Sequence, residues 1–136
     1  MDEKTRFEVF AEEIVKASDA LGMSHVRKTI SNYVPKEFEE DAKDGMGAGF
    51  IFRGDQNCCE VFLNPNSDDD PRYDAWHEMA ELSLIDIEHF CEECVKKRKF
   101  DKEKWESLAH AMVNRIVSAA RPELLHIIYP PQNSDK

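Results

Sequence analysis

The first clear pattern is helical and lies near the start of the chain. In residues 5–22, apolar positions recur every three or four residues, which is the spacing of one face of an α-helix. They are Phe7, Phe10, Ala11, Ile14, Val15, Ala17 and Leu21. Gly22 follows the last of them, and glycine commonly ends a helix. The pattern predicts an amphipathic N-terminal helix.

The middle of the chain favours β-structure. Loose alternation predicts a strand within SHVRKTISNYV, and a short polar helix is expected in PKEFEEDAKDGMG. Two runs rich in aromatic and β-branched residues then follow, Phe50–Phe52 and Cys59–Leu63, with the turn residues Gly-Asp-Gln-Asn between them. Two such runs around a turn cluster predict a β-hairpin over 48–64.

Two helices are expected in the second half. Asp70 followed by Pro71 is a strong start signal, because aspartate caps a helix and proline suits its first position. This helix should extend over about 70–97, where the basic run KKRK suits a C-terminus. Asp101 then caps a second helix over about 101–120, which ends before a proline.

Length and composition agree with one folded domain. The chain has 136 residues, of which 41% are hydrophobic and 34% charged, so it can bury a core. We therefore expect an α+β fold with an N-terminal helix, a sheet of two or three strands and two long packed helices. The domain should span 1–130, with 131–136 as a tail.

The charge balance narrows the classes of partner. The formal net charge is −10, and an acidic chain gains nothing from displacing cations at a phosphate backbone. Nucleic acid is therefore not expected as a partner, whereas a basic peptide or protein is compatible. No apolar run reaches the ~18 residues of a membrane span, and the charged N-terminus lacks a secretory pattern. A cytoplasmic location is expected.

The strongest chemical signal is the sequence His77-Glu78-x-x-Glu81. Residues four apart on a helix point to the same side, so His77 and Glu81 could bind one metal ion. Glu78 is rotated by about 100° and could act as a general base on a water held by that ion. A motif this short also arises by chance on ordinary amphipathic helices, and that interpretation remains open.

The neighbouring residues favour the metal site. The helical projection predicts a core face formed by Trp76, Met79, Ala80, Leu84, Ile87, Phe90, Cys91 and Cys94. Glu81 is flanked by Leu84 and Ile85, so it is expected on an apolar surface. A carboxylate in such surroundings needs a partner, which a metal ion would supply.

A third ligand is expected on the next helix. Glu106 falls between Val113 and Val117 on the helical projection and should point inward, where glutamate is otherwise disfavoured. His110 follows four residues later at the edge of the same face. We predict Glu106 as the third metal ligand and His110 as a possible fourth ligand or a hydrogen-bonding neighbour of the site.

The cysteines leave two interpretations open. Cys91 and Cys94 fall on the predicted core face, and free buried cysteine behaves as a small hydrophobic residue. Cys58 and Cys59 are adjacent on a predicted strand and should therefore point to opposite faces. Core thiols are the first interpretation, and a metal or disulfide role is the second.

The segment EVFLNPNSDDDPRYDAWHEMAEL resembles the core of small prokaryotic and phage-encoded zincin-type metallopeptidases of the HExxH class, including the ImmA/IrrE type, with HExxE in place of HExxH. ESLAHA resembles the segment that supplies their third ligand. The resemblance implies a minimal zincin-like fold, bound zinc, peptide hydrolysis, His77 and Glu106 as ligands and Glu78 as general base. An exposed edge at Glu60–Leu63 would accept a peptide strand.

Two classes of function follow from these residues. The first is a zinc-dependent peptidase or hydrolase that uses a Glu-activated water and acts on a peptide or protein. Two carboxylates beside one imidazole also suit Mn²⁺ or Fe²⁺. The alternative is a catalytically weak or inactive zincin-fold phage or prophage protein that binds a partner protein. A metal-free helical interaction domain is a third possibility.

Overall fold

The computed structural model describes residues 1–120, 122–128 and 130; the tail predicted at 131–136 lies outside them. The helices are α1 (Glu3–Ala20), α2 (Glu39–Lys43), α3 (Pro71–Ser83), α4 (Ile85–Lys97), α5 (Lys102–Ala120) and α6 (Leu125–Ile128). The strands are β1 (Arg27–Ser31), β2 (Ala48–Arg53) and β3 (Cys58–Leu63). The predicted α+β layout is confirmed. Within this part of the chain, no helix has the length and apolar character needed to cross a bilayer.

The three strands form one mixed sheet in the order β1-β3-β2. β3 pairs in parallel with β1 and antiparallel with β2, so the predicted hairpin is present. The expectation of an exposed edge at Glu60–Leu63 is wrong, because these residues belong to the central strand. β1 pairs along that edge of β3, and β2 forms an edge of the sheet instead.

β3 is buried on both faces toward its end. Cys59, Val61 and Leu63 alternate along the strand and enter the main core with α1 and α3. Phe62 points to the opposite face, yet it is only 1% exposed, since it packs on Phe38 with ring centroids 5.1 Å apart. Phe38, which directly precedes α2, therefore covers the second face of the sheet.

α1 and α3 form the main helix pair of the fold. Phe10, Ile14 and Ala17 of α1 share one buried cluster with three residues of α3. Those residues of α3 are Ala75, Met79 and Leu82, each at 0% exposure. At the rim of this contact, the indole nitrogen of Trp76 donates a hydrogen bond of 2.8 Å to the Glu13 carboxylate. The pairing fixes which side of α3 faces the protein.

The long helix expected over 70–97 is interrupted at Leu84, where φ is −101° and ψ is 3°. Two hydrogen bonds engage carbonyl groups beside the break. The Ser83 hydroxyl donates to the Ala80 carbonyl at 2.6 Å, and the Arg115 guanidinium of α5 donates to the Ser83 carbonyl at 2.9 Å. α4 is therefore oriented independently of α3. A helical projection that treats residues 70–97 as one helix is not valid beyond residue 84.

The core face of α3 is also rotated from the predicted one. Trp76 and Leu84, expected inside, are 39% and 51% exposed. Ala80 is exposed too, and Leu82 and Glu78 are buried in their place. Apolar residues lie on both sides of this helix, and packing against α1 selects the side that carries Ala75 and Leu82.

α5 packs against the rest of the fold by a face different from the one expected. Gly22, at φ +70°, lies directly under Arg115, where a side chain at this position would overlap the arginine. Trp105 stacks near Phe90 with ring centroids 5.6 Å apart. Val113, which the helical projection placed beside Glu106 on the inner face, is 56% exposed.

The described cysteines are free thiols in different surroundings. Cys59 is buried, as the core interpretation predicts, and burial raises the pKa of its thiol to about 12. Cys58 and Cys94 are partly buried. Cys91 is exposed, so its assignment to the core face is wrong, because α4 is turned relative to α3.

Truncation on the inner face of α1 should show how far the fold depends on its packing against α3. We expect Ile14→Ala to lower the free energy of unfolding by about 2–5 kcal/mol, because it opens a cavity in the shared core. The neighbouring Val15 is 54% exposed, so Val15→Ala should change stability by no more than about 0.5 kcal/mol. Chemical denaturation measures both, and equal losses would contradict this assignment.

Candidate metal centre

The start of α3 sets the register of the site. The Asp70 carboxylate accepts a hydrogen bond of 2.9 Å from the backbone nitrogen of Arg72, and Pro71 occupies the first helical position, as predicted. With the helix fixed in this way, His77 and Glu81 stand one turn apart on one side. Nε2 of His77 lies 2.6 Å from Oε1 of Glu81. The predicted convergence of these two residues is present.

Glu78 completes a group of three. One ligand atom from each of His77, Glu78 and Glu81 lies within 4.8 Å of the others, an arrangement that could hold a metal ion. Among the described residues, this is the group of histidine, cysteine and carboxylate side chains with that property. The motif singled out in the sequence is therefore a spatial cluster.

Glu81 does not lie where the sequence predicted, and Glu78 is the buried glutamate of the motif. The Glu81 side chain is 55% exposed, so it is not an isolated carboxylate on an apolar surface. Glu78 is 7% exposed. The pKa of Glu78 is raised to about 7, mainly by burial and in smaller part by the charges of Glu81 and Asp74, while His77 opposes them. The carboxyl group that exchanges a proton near neutral pH is therefore the residue between the two metal-binding candidates.

Glu106 is not part of this cluster. The prediction that it points inward is wrong, because its side chain is 61% exposed and its carboxylate lies 3.9 Å from the Lys102 ammonium group. The helical projection placed it between Val113 and Val117 on an inner face, whereas the helix docks through the side that carries Arg115. His110 is also exposed and lies outside the group.

Tyr73 was not identified from the sequence. Its hydroxyl lies 3.5 Å from Nδ1 of His77, and the two rings are 5.6 Å apart between centroids. Tyr73 stands four residues before His77, so their spacing on one helix face was the available signal. A group near the second imidazole nitrogen orients the ring and leaves Nε2 directed toward Glu81.

Asp74 is a second residue that the sequence analysis missed. It is 6% exposed, and its Oδ2 atom is buried with no hydrogen-bond partner among the described residues. Burial raises the pKa of Asp74 to about 6, with a smaller contribution in the same direction from Asp69 and an opposing one from Arg6. Its spacing, four residues before Glu78, places both carboxyl groups on the buried side of α3.

The cluster opens into a groove of about 640 Å³ between α3 and β2. Its apolar lining residues are Phe38, Met46, Ala48, Phe50, Phe52 and Ile85. Its titratable lining residues are Asp69, Asp74, His77, Glu78, Glu81, Glu88 and His89, and Tyr73 lies among them. The groove therefore combines an apolar surface, mostly from β2 and the residues before it, with an acidic surface, mostly from α3.

The raised pKa of Glu78 predicts an unusual pH dependence of stability in the metal-free protein. The folded state holds this proton more tightly than the unfolded chain from pH 4.5 to about 7, so stability falls as pH rises through that interval. Glu78→Gln should remove the part of the decline that Glu78 causes and leave the part caused by the raised pKa of Asp74. It should stabilise the protein by up to about 3 kcal/mol at about pH 8, with little effect at about pH 4.

The test is chemical denaturation of both proteins across this pH range in the presence of a chelator. Glu106→Gln is the matched control, because it makes the same change at an exposed position. Identical pH profiles for Glu78→Gln and the unsubstituted protein would contradict the burial of this carboxyl group.

Comparison of the chain with protein-family models, curated proteins and solved structures finds no match in any of the three. The resemblance to zincin-type metallopeptidases therefore stays a prediction. What the chain does has to be inferred from the cluster, the groove and the sheet edge.

Proposed function

We propose that this protein is a metal-dependent hydrolase of peptide bonds. The observation that carries the proposal is the convergence of His77, Glu78 and Glu81 within 4.8 Å at the wall of an open groove. The buried carboxyl group of Glu78 suits proton transfer, and the exposed side chains of His77 and Glu81 suit metal binding. The resemblance of the segment around HEMAE to zincin-type peptidases supports the same reaction class.

The donor set fits a divalent cation. An imidazole nitrogen and a carboxylate oxygen already approach each other at one point of α3, with Nε2 of His77 directed at Glu81. Zinc accepts such mixed nitrogen and oxygen ligands, so it is the metal we propose. The carboxylate ligand also suits Mn²⁺ or Fe²⁺, because these ions prefer harder donors than the two imidazoles of a two-histidine site.

The roles of the side chains follow from their burial and spacing. His77 and Glu81 would bind the cation, and Tyr73 would hold the imidazole in the required orientation. A cation held there supplies Lewis-acid activation of a water and of a carbonyl group. The Glu78 carboxylate would accept a proton from the attacking water and return it to the leaving amine. Its pKa of about 7 allows both steps near neutral pH.

The sheet supports a peptide as the substrate. β2 is hydrogen-bonded to β3 on one side, and its residues from Ala48 to Phe50 line the groove beside α3. An extended peptide can add to such an edge through backbone hydrogen bonds, which bind it with little regard to side chains. This addition would lay a peptide backbone along the wall opposite His77.

The position of Glu106 favours a second candidate function. With Glu106 paired to Lys102 on the outside, His77 and Glu81 alone give the metal two protein ligands. Glu78 would then serve as the third ligand and would not be free to act as a base. In that case the protein would be a non-catalytic metal-containing module that binds a peptide or protein partner in the same groove.

Metal binding should depend on Glu81 and be independent of Glu106. We expect Glu81→Gln to weaken zinc binding by more than about tenfold, because it removes a ligand. Glu106→Gln should leave the affinity unchanged, although it makes the same chemical change. Competition with a chromophoric zinc chelator measures both variants. Equal losses of zinc affinity in the two variants would identify Glu106 as a ligand. Unchanged affinity in both variants would contradict the metal site.

Glu78→Gln should separate the two candidate functions. A general base contributes about 10²–10⁴-fold to the rate, so the variant should lose at least about 10²-fold in cleavage of an unstructured, fluorescently labelled protein. Its zinc affinity should be unchanged if Glu78 acts as a base. A fall in zinc affinity would instead identify Glu78 as a ligand. Absence of cleavage by the unsubstituted protein with zinc, manganese and iron would contradict the hydrolase.

A further inference from the structure

Asp74 presents an unsatisfied carboxylate to the groove. The residue is 6% exposed and lines the groove, and its Oδ2 atom has no hydrogen-bond partner among the described residues. A buried polar atom without a partner destabilises the fold, and a charged one does so more strongly. Such an atom at the wall of an open groove is suited to a ligand that completes its hydrogen bonding.

Asp69 converges on the same place. A Cβ atom at Gly47 would lie 2.6 Å from both carboxylate oxygens of Asp74 and 2.7 Å from Oδ2 of Asp69. Both carboxylates therefore surround the backbone of Gly47, where even a methyl group would be excluded. The two side chains create a small region of concentrated negative charge at one end of the groove.

The surrounding backbone holds this arrangement in place. The backbone nitrogen of Asn64 donates to the Gly47 carbonyl at 2.8 Å, and its amide nitrogen donates to the Met46 carbonyl at 2.8 Å. Arg6 donates from its guanidinium to the Asp69 carbonyl at 2.9 Å. Arg6 thus bonds the main chain of this loop, and no hydrogen bond from it to the Asp74 carboxylate is formed. Arg6 acts on Asp74 through its charge, and the Oδ2 atom of Asp74 stays without a hydrogen-bond partner among the described residues.

The remaining walls identify the kind of cation. Met46 and Phe50 line the groove on the apolar side, and Tyr73 stands beside Asp74 on α3. A hydrocarbon stem would be buried against these side chains while its charged end reached the carboxylates. A bare metal ion would leave that apolar surface without a partner, whereas lysine and arginine have a cationic end on an aliphatic stem.

We propose that Asp69 and Asp74 form a subsite for the lysine or arginine side chain of a peptide that lies in the groove. This subsite names the substrate class of the proposed function. Cleavage at the subsite rests on that function, whereas binding of the basic side chain does not. Asp74 precedes His77 by three residues, or about 4.5 Å along the helix axis. A basic side chain in the subsite would therefore place its own peptide linkage, or the next one, at His77, Glu78 and Glu81.

The test is the binding of matched peptides by metal-free protein carrying Glu78→Gln, in excess chelator and about 0.15 M salt. The probe is an acetylated alanine heptapeptide with one central arginine and a C-terminal fluorophore. Its twin carries citrulline, the neutral isostere of arginine. Fluorescence anisotropy should give about tenfold tighter binding of the arginine peptide, since a charge-assisted hydrogen bond is lost in the twin.

Asp74→Asn should abolish the preference for arginine over citrulline. Asp68→Asn should preserve it, although it removes the same charge, because Asp68 is exposed in the same loop and does not line the groove. Circular dichroism checks that both variants fold. In protein that carries neither the Asp74 nor the Asp68 substitution, the peptide pair by itself tests the subsite. Binding does not require metal or Glu78, so a preference for arginine without any cleavage would retain the subsite and reject the hydrolase.

Three outcomes would overturn the proposal. Equal binding of the two peptides would exclude a cation subsite. Equal loss of the preference in the Asp74 and Asp68 variants would assign it to the overall negative charge of the protein. A citrulline peptide with a free amino terminus that binds as tightly as the arginine peptide would assign the subsite to a terminal ammonium group.

Discussion

The packing of α3 against α1 is the constraint on which the candidate site depends. Ala75, Met79 and Leu82 are fully buried against the core, and this fixes the rotation of α3 about its axis. Glu78 is carried inward by the same rotation, whereas His77 and Glu81 remain at the surface of the groove. A different rotation would expose Glu78 and lower the pKa that burial now raises. The chemistry of the cluster is thus set by hydrophobic residues that take no part in it.

Local signals in the sequence were sufficient for most of the fold. Asp70 and Pro71 determine the start of α3 by capping and by the geometry of proline, which act within one helical turn. The hairpin followed from two β-favouring runs around a turn. The convergence of His77 with Glu81 needed only the helical repeat, which is why it was predicted correctly.

The errors concern long-range packing. The sequence places Glu106 inside because α5 has apolar residues on several sides, and the docking side is selected by distant partners such as Gly22 and Ser83, which Arg115 of α5 contacts. The prediction of an exposed edge on β3 is wrong because β1 pairs along that edge, although it precedes β3 by more than twenty residues. Asp74 has no motif of its own, and its significance depends on the approach of Gly47 from the segment just before β2.

The interruption at Leu84 divides the groove wall into two parts with different constraints. His77, Glu78 and Glu81 belong to α3, which the core holds in one orientation, whereas Ile85, Glu88 and His89 belong to α4. Substitutions in α4 can therefore alter the width and polarity of one end of the groove without moving the cluster on α3. Such a boundary allows related sequences to diverge in which molecules they accept while retaining the same reactive group.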